Sequence, residues 1–268
     1  MKRILTIICG LLLITAVNAQ FQHSSGVPLR TGSSFMTAPV YVEPEEPPSE
    51  PSFLASDGYT FGWYIADADN LTLNGSEVDY WNDISGDANH LYRAGSDQRP
   101  DWDAVNGEID FTTLDEIQKT LVVHNSPFTI YAVLRIDTPI AYSDLIILAT
   151  DSYYIRLRIA ATTSALSIAA NAGLFATSSS FFSTGTYYIL RIVVNDAVSN
   201  GSKIQLNENT AATGTLAAVT SDKIRIGYGS GSESTVSYKE IIFRANLDDA
   251  EEQQDVVDWL NYKYTVYE

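Results

Sequence analysis

From Asp57 onward apolar and polar residues alternate with a period of two, and this pattern constrains the chain to β-structure more than any other feature does. Phe128, Ile130, Ala132, Leu134 and Ile136 fall on one face of an extended segment, with Thr129, Tyr131, Val133 and Arg135 on the other. Tyr153, Ile155, Leu157 and Ile159 oppose Tyr154, Arg156 and Arg158 in the same way. Further strands are expected at 59–66, 144–150, 165–170, 187–194, 203–207, 223–228 and 237–244. Turn-forming clusters such as Asn195–Ser202 and Gly229–Ser234 punctuate them. Many strands with one apolar and one polar face imply two packed antiparallel sheets. One helix is expected near the end. Asp248 can cap it, Glu251 can complete a capping box, and Val256, Val257, Trp259 and Leu260 supply an apolar flank.

Two earlier segments differ in texture. Lys2 and Arg3 precede an apolar run from Ile4 to Val17, and Ala19 offers a small residue before Gln20, the pattern of a secretory signal peptide over 1–19. The run is about 14 residues, short of the roughly 20 that span a bilayer as a helix. Cys9, the only cysteine, lies within it, so the exported chain is expected to have no disulfide and to rest on its core. Residues 20–56 interleave Pro39, Pro44, Pro47, Pro48 and Pro51 with Glu43, Glu45, Glu46 and Glu50, which reads as an extended, disordered tether. The remaining domain runs from 57 to 268, without internal repeat.

The chain has 33 acidic and 16 basic residues, a net charge of −17. Loss of residues 1–19 removes two bases and no acids, which gives −19. Such a surface repels nucleic acid and anionic lipid, both of which need a cationic footprint. No nucleic-acid partner and no transmembrane segment after signal cleavage are expected. A secreted or surface-displayed protein, extracellular or periplasmic, is.

Three segments together resemble the laminin G-like, concanavalin A-like jelly-roll domains of bacterial and phage surface proteins. Trp81-Asn82-Asp83-Ile84-Ser85-Gly86-Asp87-Ala88-Asn89-His90 is similar to a W-x-D-x-S-G-x-x-x-H opening, preceded by Trp63-Tyr64-Ile65-Ala66-Asp67-Ala68-Asp69. Arg99-Pro100-Asp101-Trp102 and Glu108-Ile109-Asp110-Phe111 follow. Tyr238-Lys239-Glu240-Ile241-Ile242-Phe243, then Trp259-Leu260 and Tyr262-Lys263-Tyr264, are similar to the closing strand and helix. The resemblance covers about 57–268 and implies a two-sheet jelly roll with one short C-terminal helix. It does not fix function, since the fold hosts lectins, glycosidases, lyases and spacers.

Glu108-Ile109-Asp110-Phe111 approaches the E-x-D-x-E strand of glucanases on this fold, but Thr112 and Thr113 stand where the last carboxylate should be. A retaining hydrolase lacking its acid cannot protonate the leaving oxygen, so no catalytic residue is assigned. His90 and His124 have no neighbouring histidine or cysteine for a transition-metal site. Residues 57–116 hold 14 acids, among them Asp67, Asp69, Asp83 and Asp87, but without a Ca²⁺-binding spacing they read as turn residues. No cofactor is assigned; Ca²⁺ is possible but not favoured, and any metal ligands stay unknown. Aromatic rings cover sugar C–H faces and guanidinium forks bind hydroxyls or carboxylates, so Tyr131, Arg135, Tyr154, Arg156 and Arg158 form a candidate ligand surface. The expected function is non-catalytic, lectin-like binding of a glycan or surface glycoprotein. The alternatives are an adhesion protein binding other proteins, and a polysaccharide hydrolase or lyase.

Overall fold

A computed structural model describes residues 46–93, 98–112, 114–150, 154–160, 163–170, 173–177, 181–228 and 234–268. The expected signal peptide, and the expected tether through residue 45, lie outside these. Residues 46–56 lie within them. A single turn of helix, α1 (Phe53–Ser56), precedes the strands, and its Leu54 is buried.

The chain then forms β1 (Thr60–Ile65), β2 (Leu71–Asn74), β3 (Glu77–Trp81), β4 (Leu91–Tyr92), β5 (Asp101–Asp103) and β6 (Glu108–Phe111). There follow β7 (Ile117–Asn125), β8 (Phe128–Thr138), β9 (Asp144–Ala149), β10 (Tyr154–Ile159), β11 (Leu166–Ala170) and β12 (Gly173–Ala176). The last elements are β13 (Tyr187–Val194), β14 (Ser202–Leu206), β15 (Ala212–Gly214), β16 (Thr220–Tyr228), β17 (Thr235–Arg244) and helix α2 (Ala250–Tyr264).

Every pairing is antiparallel, in two runs. In the first, β1 and β6 share one edge of β17, which continues through β8 and β13 to β14 and β15. In the second, β4 leads through β7, β16, β9, β10 and β11 to β12. The runs are not separate sheets: β3, paired along one edge with β2, pairs along its other edge with β4 at Tyr80 and Trp81 and with β5 at Glu77, and β5 pairs on to β6. The result is one nearly closed, all-β network wrapped round a single core. Phe128, Ile130, Leu134 and Phe243 enter that core from the first run, and Leu148, Ile155, Leu157 and Ile224 from the second.

β8 is buried on both faces. Tyr131 and Val133 point away from the core into a second cluster, where Trp63, Ile189 and Ile242 meet Val257, Trp259 and Leu260 of α2 and Leu54 of α1. Helix α2 thus covers part of the outer face of the first run, and Trp259 meets Trp63 edge-on at 5.9 Å.

Two buried polar joints fix this cover. Glu240, fully buried, accepts from Trp63 Nε1 (2.6 Å), Lys263 Nζ (2.8 Å) and the Tyr264 hydroxyl (2.7 Å). Arg244, also fully buried, donates to Asp57 Oδ2 (2.6 Å), Thr60 Oγ1 (2.8 Å) and Asp248 Oδ1 (2.8 Å). This arrangement corrects the expected helix cap. Asp248 is held by Arg244 and by the Tyr131 hydroxyl, so the N-cap passes to Asp249, whose capping-box partner is Glu252.

The sequence motifs have structural work nearby. Asp83 takes the backbone N–H groups of Trp63, Ser85 and Asn89 and the Ser85 hydroxyl, which pins the turn after β3 to β1. His90 Nδ1 accepts from Asp83 N, and Asp67 takes the N–H groups of Asp69 and Asn70.

Candidate functional site

Alternation places Arg135 on the outer face of β8, beside the end of the first run that carries Glu108. In one cross-strand row Asp110 lies opposite Ser237, Ser237 opposite Arg135, and Arg135 opposite Tyr187. Arg135 Nη2 is 3.1 Å from Glu108 Oε1, and its Nε is 3.1 Å from Asp137 Oδ1. Glu108 Oε2 accepts from the Tyr187 hydroxyl, Ser237 Oγ donates to Asp110 Oδ1 at 2.6 Å, and Lys239 Nζ lies 4.7 Å above the Tyr187 ring. Burial raises both Glu108 and Asp110 above the ordinary carboxylate range and lowers Lys239.

Two carboxylates with raised affinity for protons recommend a catalytic pair, but the geometry speaks against one. Glu108 is fully buried, and Arg135 and Tyr187 both engage it. A glycosidase carboxylate must reach the scissile bond. Thr112, at the next outward position, donates to Asp115 and so closes a turn; Thr113 lies outside the described residues. Asp103, Glu108 and Asp110 do bring one oxygen each within 4.8 Å of one another. The guanidinium and ammonium beside them already supply positive charge, and Asp103 is engaged by Val105 N, Asn106 N and Asn106 Nδ2. His124 is half-buried, stacks on Phe61 at 4.2 Å, and is held below its ordinary pKa by burial. Around Glu108 and beneath α2, the outer face of the first run is thus internally matched or covered.

The structure divides the five sequence-selected residues. Tyr131 is fully buried under α2, with its hydroxyl 2.8 Å from Asp248, and Arg135 belongs to the matched cluster. Tyr154, Arg156 and Arg158 stand on β10 and point outward from the second run, since Ile155, Leu157 and Ile159 fill the core. The Arg156 guanidinium lies 4.2 Å from the Tyr154 ring centroid and 3.3 Å from Asp144. Arg158 lies 5.5 Å from the ring centroid of Tyr142, and its Nε donates to Ser167 Oγ.

Tyr142 was not selected from sequence. It sits in the turn between β8 and β9 with φ at 69°, a left-handed conformation costly for a bulky side chain, and its ring is 62% exposed. Its backbone N–H is held by Ile159 O, so the turn is tied to β10. Tyr142, Arg158, Ser167, Leu174 and Thr177 line an open depression of about 280 Å³. An exposed ring, a guanidinium and the exposed Leu174 share one shallow site, over the buried hydroxyls of Ser167, which accepts from Arg158, and Thr177, which pairs with the Leu166 backbone. Nothing in local sequence marks Tyr142, because its left-handed backbone and its place beside Arg158 appear only once the turn is built.

No family model matches the chain, and no curated protein matches it in sequence. Solved structures do resemble it. A Trypanosoma rangeli sialidase in complex with sialic acid superposes with a TM-score of 0.54 at 13% identity, over 76% of this chain and 33% of that one. A GH54 α-L-arabinofuranosidase soaked with a cyclic sulfate inhibitor gives 0.53 at 12%, over 72% and 52%. The receptor binding domain of botulinum neurotoxin D gives 0.51 at 10%, over 75% and 52%. The chain spans from a third to about half the length of these proteins. At such identities the likenesses show the fold alone, a β-sandwich.

Proposed function

We propose that the chain is a non-catalytic, carbohydrate-binding module, secreted or displayed at a surface, built as a laminin G-like, concanavalin A-like jelly roll. The Tyr142–Arg158 depression is its binding site. The observation that carries this is the Tyr142 ring itself, exposed although its backbone is strained. Strain of this kind persists where surrounding structure imposes it, and it clusters at ligand sites. An aromatic face stacks on the C–H face of a sugar ring, while the Arg158 guanidinium offers donors to hydroxyls. The site is shallow and has no pair of exposed carboxylates among the residues that line it, which fits binding rather than hydrolysis. The three solved proteins support the sandwich and not the ligand, so the ligand class rests on residues of this chain.

Glycan-array and affinity-gel binding of the purified protein tests this. Tyr142→Gly removes the ring while suiting the backbone, and Arg158→Ala removes the guanidinium. Loss of binding at least about tenfold in both, one decade per 1.4 kcal/mol, is expected. Binding unchanged in both variants would sink the site.

A further inference from the structure

The outer face of the second run carries an array of cations beside the depression. Strands β16 and β10 both pair with β9, one on each side. On β16, Lys223 and Arg225 alternate with the core residues Ile224 and Ile226 and so point outward. On β10, Arg156 and Arg158 do the same. Between them lies β9, where Ile147 stands opposite both Arg225 and Arg156, and Ala149 opposite both Lys223 and Tyr154. Two pairs of cations therefore flank a floor that is apolar at Ile147 and Ala149.

The charge balance is unusual for this chain. Among the described residues, strands β9, β10 and β16 carry four cations against two carboxylates, Asp144 and Asp222. The whole sequence has twice as many acids as bases. Beyond β16, Arg225 faces Gln118, which faces Tyr92, and Tyr92 stacks on Tyr80 at 5.8 Å. Both of those rings are exposed. Strands spaced by about 4.8 Å put Tyr92 and Leu174, six strand steps apart, roughly 30 Å apart along the face. That is longer than a single sugar, with aromatic rings near both ends and cations between.

We propose that this face binds an extended, carboxylate-bearing polysaccharide laid across the strands, with its uronate groups over Lys223, Arg225, Arg156 and Arg158. The guanidinium fork matches a planar carboxylate bidentately, and stacking of Arg156 on Tyr154 holds one fork in place. This deepens the carbohydrate-binding function proposed above and rests on it. A net-negative protein gains nothing from long-range attraction to a polyanion, so the attraction must be local and screened steeply by salt.

The test compares polygalacturonate, dextran sulfate and neutral dextran by affinity electrophoresis and calorimetry, at low and at moderate salt. Polygalacturonate is expected to bind at least about tenfold more tightly than neutral dextran and to weaken by about tenfold as salt screens the contact. Lys223→Gln alone and Lys223→Gln with Arg225→Gln are expected to weaken it stepwise, with urea unfolding confirming that both variants fold. Arg156→Lys keeps the charge and loses the fork, and is expected to weaken polygalacturonate binding. Equal, salt-insensitive and Tyr142-dependent binding to polygalacturonate and dextran would overturn the acidic ligand and leave the carbohydrate function standing. Binding of dextran sulfate without polygalacturonate would overturn the carboxylate. Binding to no glycan of any charge would overturn both.

Discussion

The two outer faces of the sandwich are made from the same materials and end up opposite in character. Each carries arginine and tyrosine on strands that alternate cleanly. On the first run, Arg135 meets Glu108 and Asp137, Arg244 meets Asp57 and Asp248, and Lys263 meets Glu240, with α2 laid over part of the face. On the second run, β9, β10 and β16 carry four cations against two carboxylates, and Tyr142 stands exposed beside them. Strand chemistry alone does not make a binding face. What decides it is whether distant segments supply matching charges and a cover. The first face uses its ions to join distant segments and a helix, whereas on the second the contacts of Arg156 and Arg158 stay within neighbouring strands and the turn before β9.

Substitution should separate these roles, and the largest effect belongs to the covered face. Arg244→Met strands Asp57 and the buried Asp248 without their cation, and a loss of about 3–5 kcal/mol in urea unfolding is expected. Next comes the choice between adjacent aspartates. Asp249→Ala removes only the helix cap, at about 1 kcal/mol, and Asp248→Ala, which breaks a buried pair, should cost clearly more by the same assay. On the open face, Tyr142→Gly should leave stability equal to the parent's or up to about 1 kcal/mol higher, because glycine relieves the left-handed strain. A large loss there would mean that the ring supports the fold, and the contrast between faces would fail.

A gentler effect comes from pH. Burial raises Glu108 and Asp110 above their ordinary 4.5 and 3.8. The folded chain then holds these protons where the unfolded chain has released them, so stability falls as pH rises from those values through the folded ones. Melting temperatures between about pH 4 and pH 7 should decline, and Glu108→Gln should flatten the slope. A slope unchanged by that substitution would place the effect on other groups.

Much of the fold was legible because alternation is a local signal. β8, β10 and β13 lie where the pattern put them, and the closing motifs proved to be parts of one joint, with Trp63, Glu240, Lys263 and Tyr264 meeting around a single carboxylate. β7 was not read from sequence. Its adjacent Val122 and Val123 are both exposed, which breaks the alternation. The site was harder to read for a related reason. Arg135 and Arg156 look alike in sequence, each an outward arginine two or four residues from a tyrosine. The carboxylates that absorb Arg135 come from β6 and from its own strand, and the helix over Tyr131 arrives more than a hundred residues later. Alternation tells which way a side chain points, not what waits for it there.

The joint at Arg244 also couples the two ends of the fold. Asp57, at the entry to the fold, and Asp248, just before the final helix, grip the same guanidinium, while Leu54 and Trp259 share one cluster. The first and last described elements therefore meet on the covered side. One guanidinium thus ties the first described turn to the last helix, so that loosening either end of the fold loosens the other.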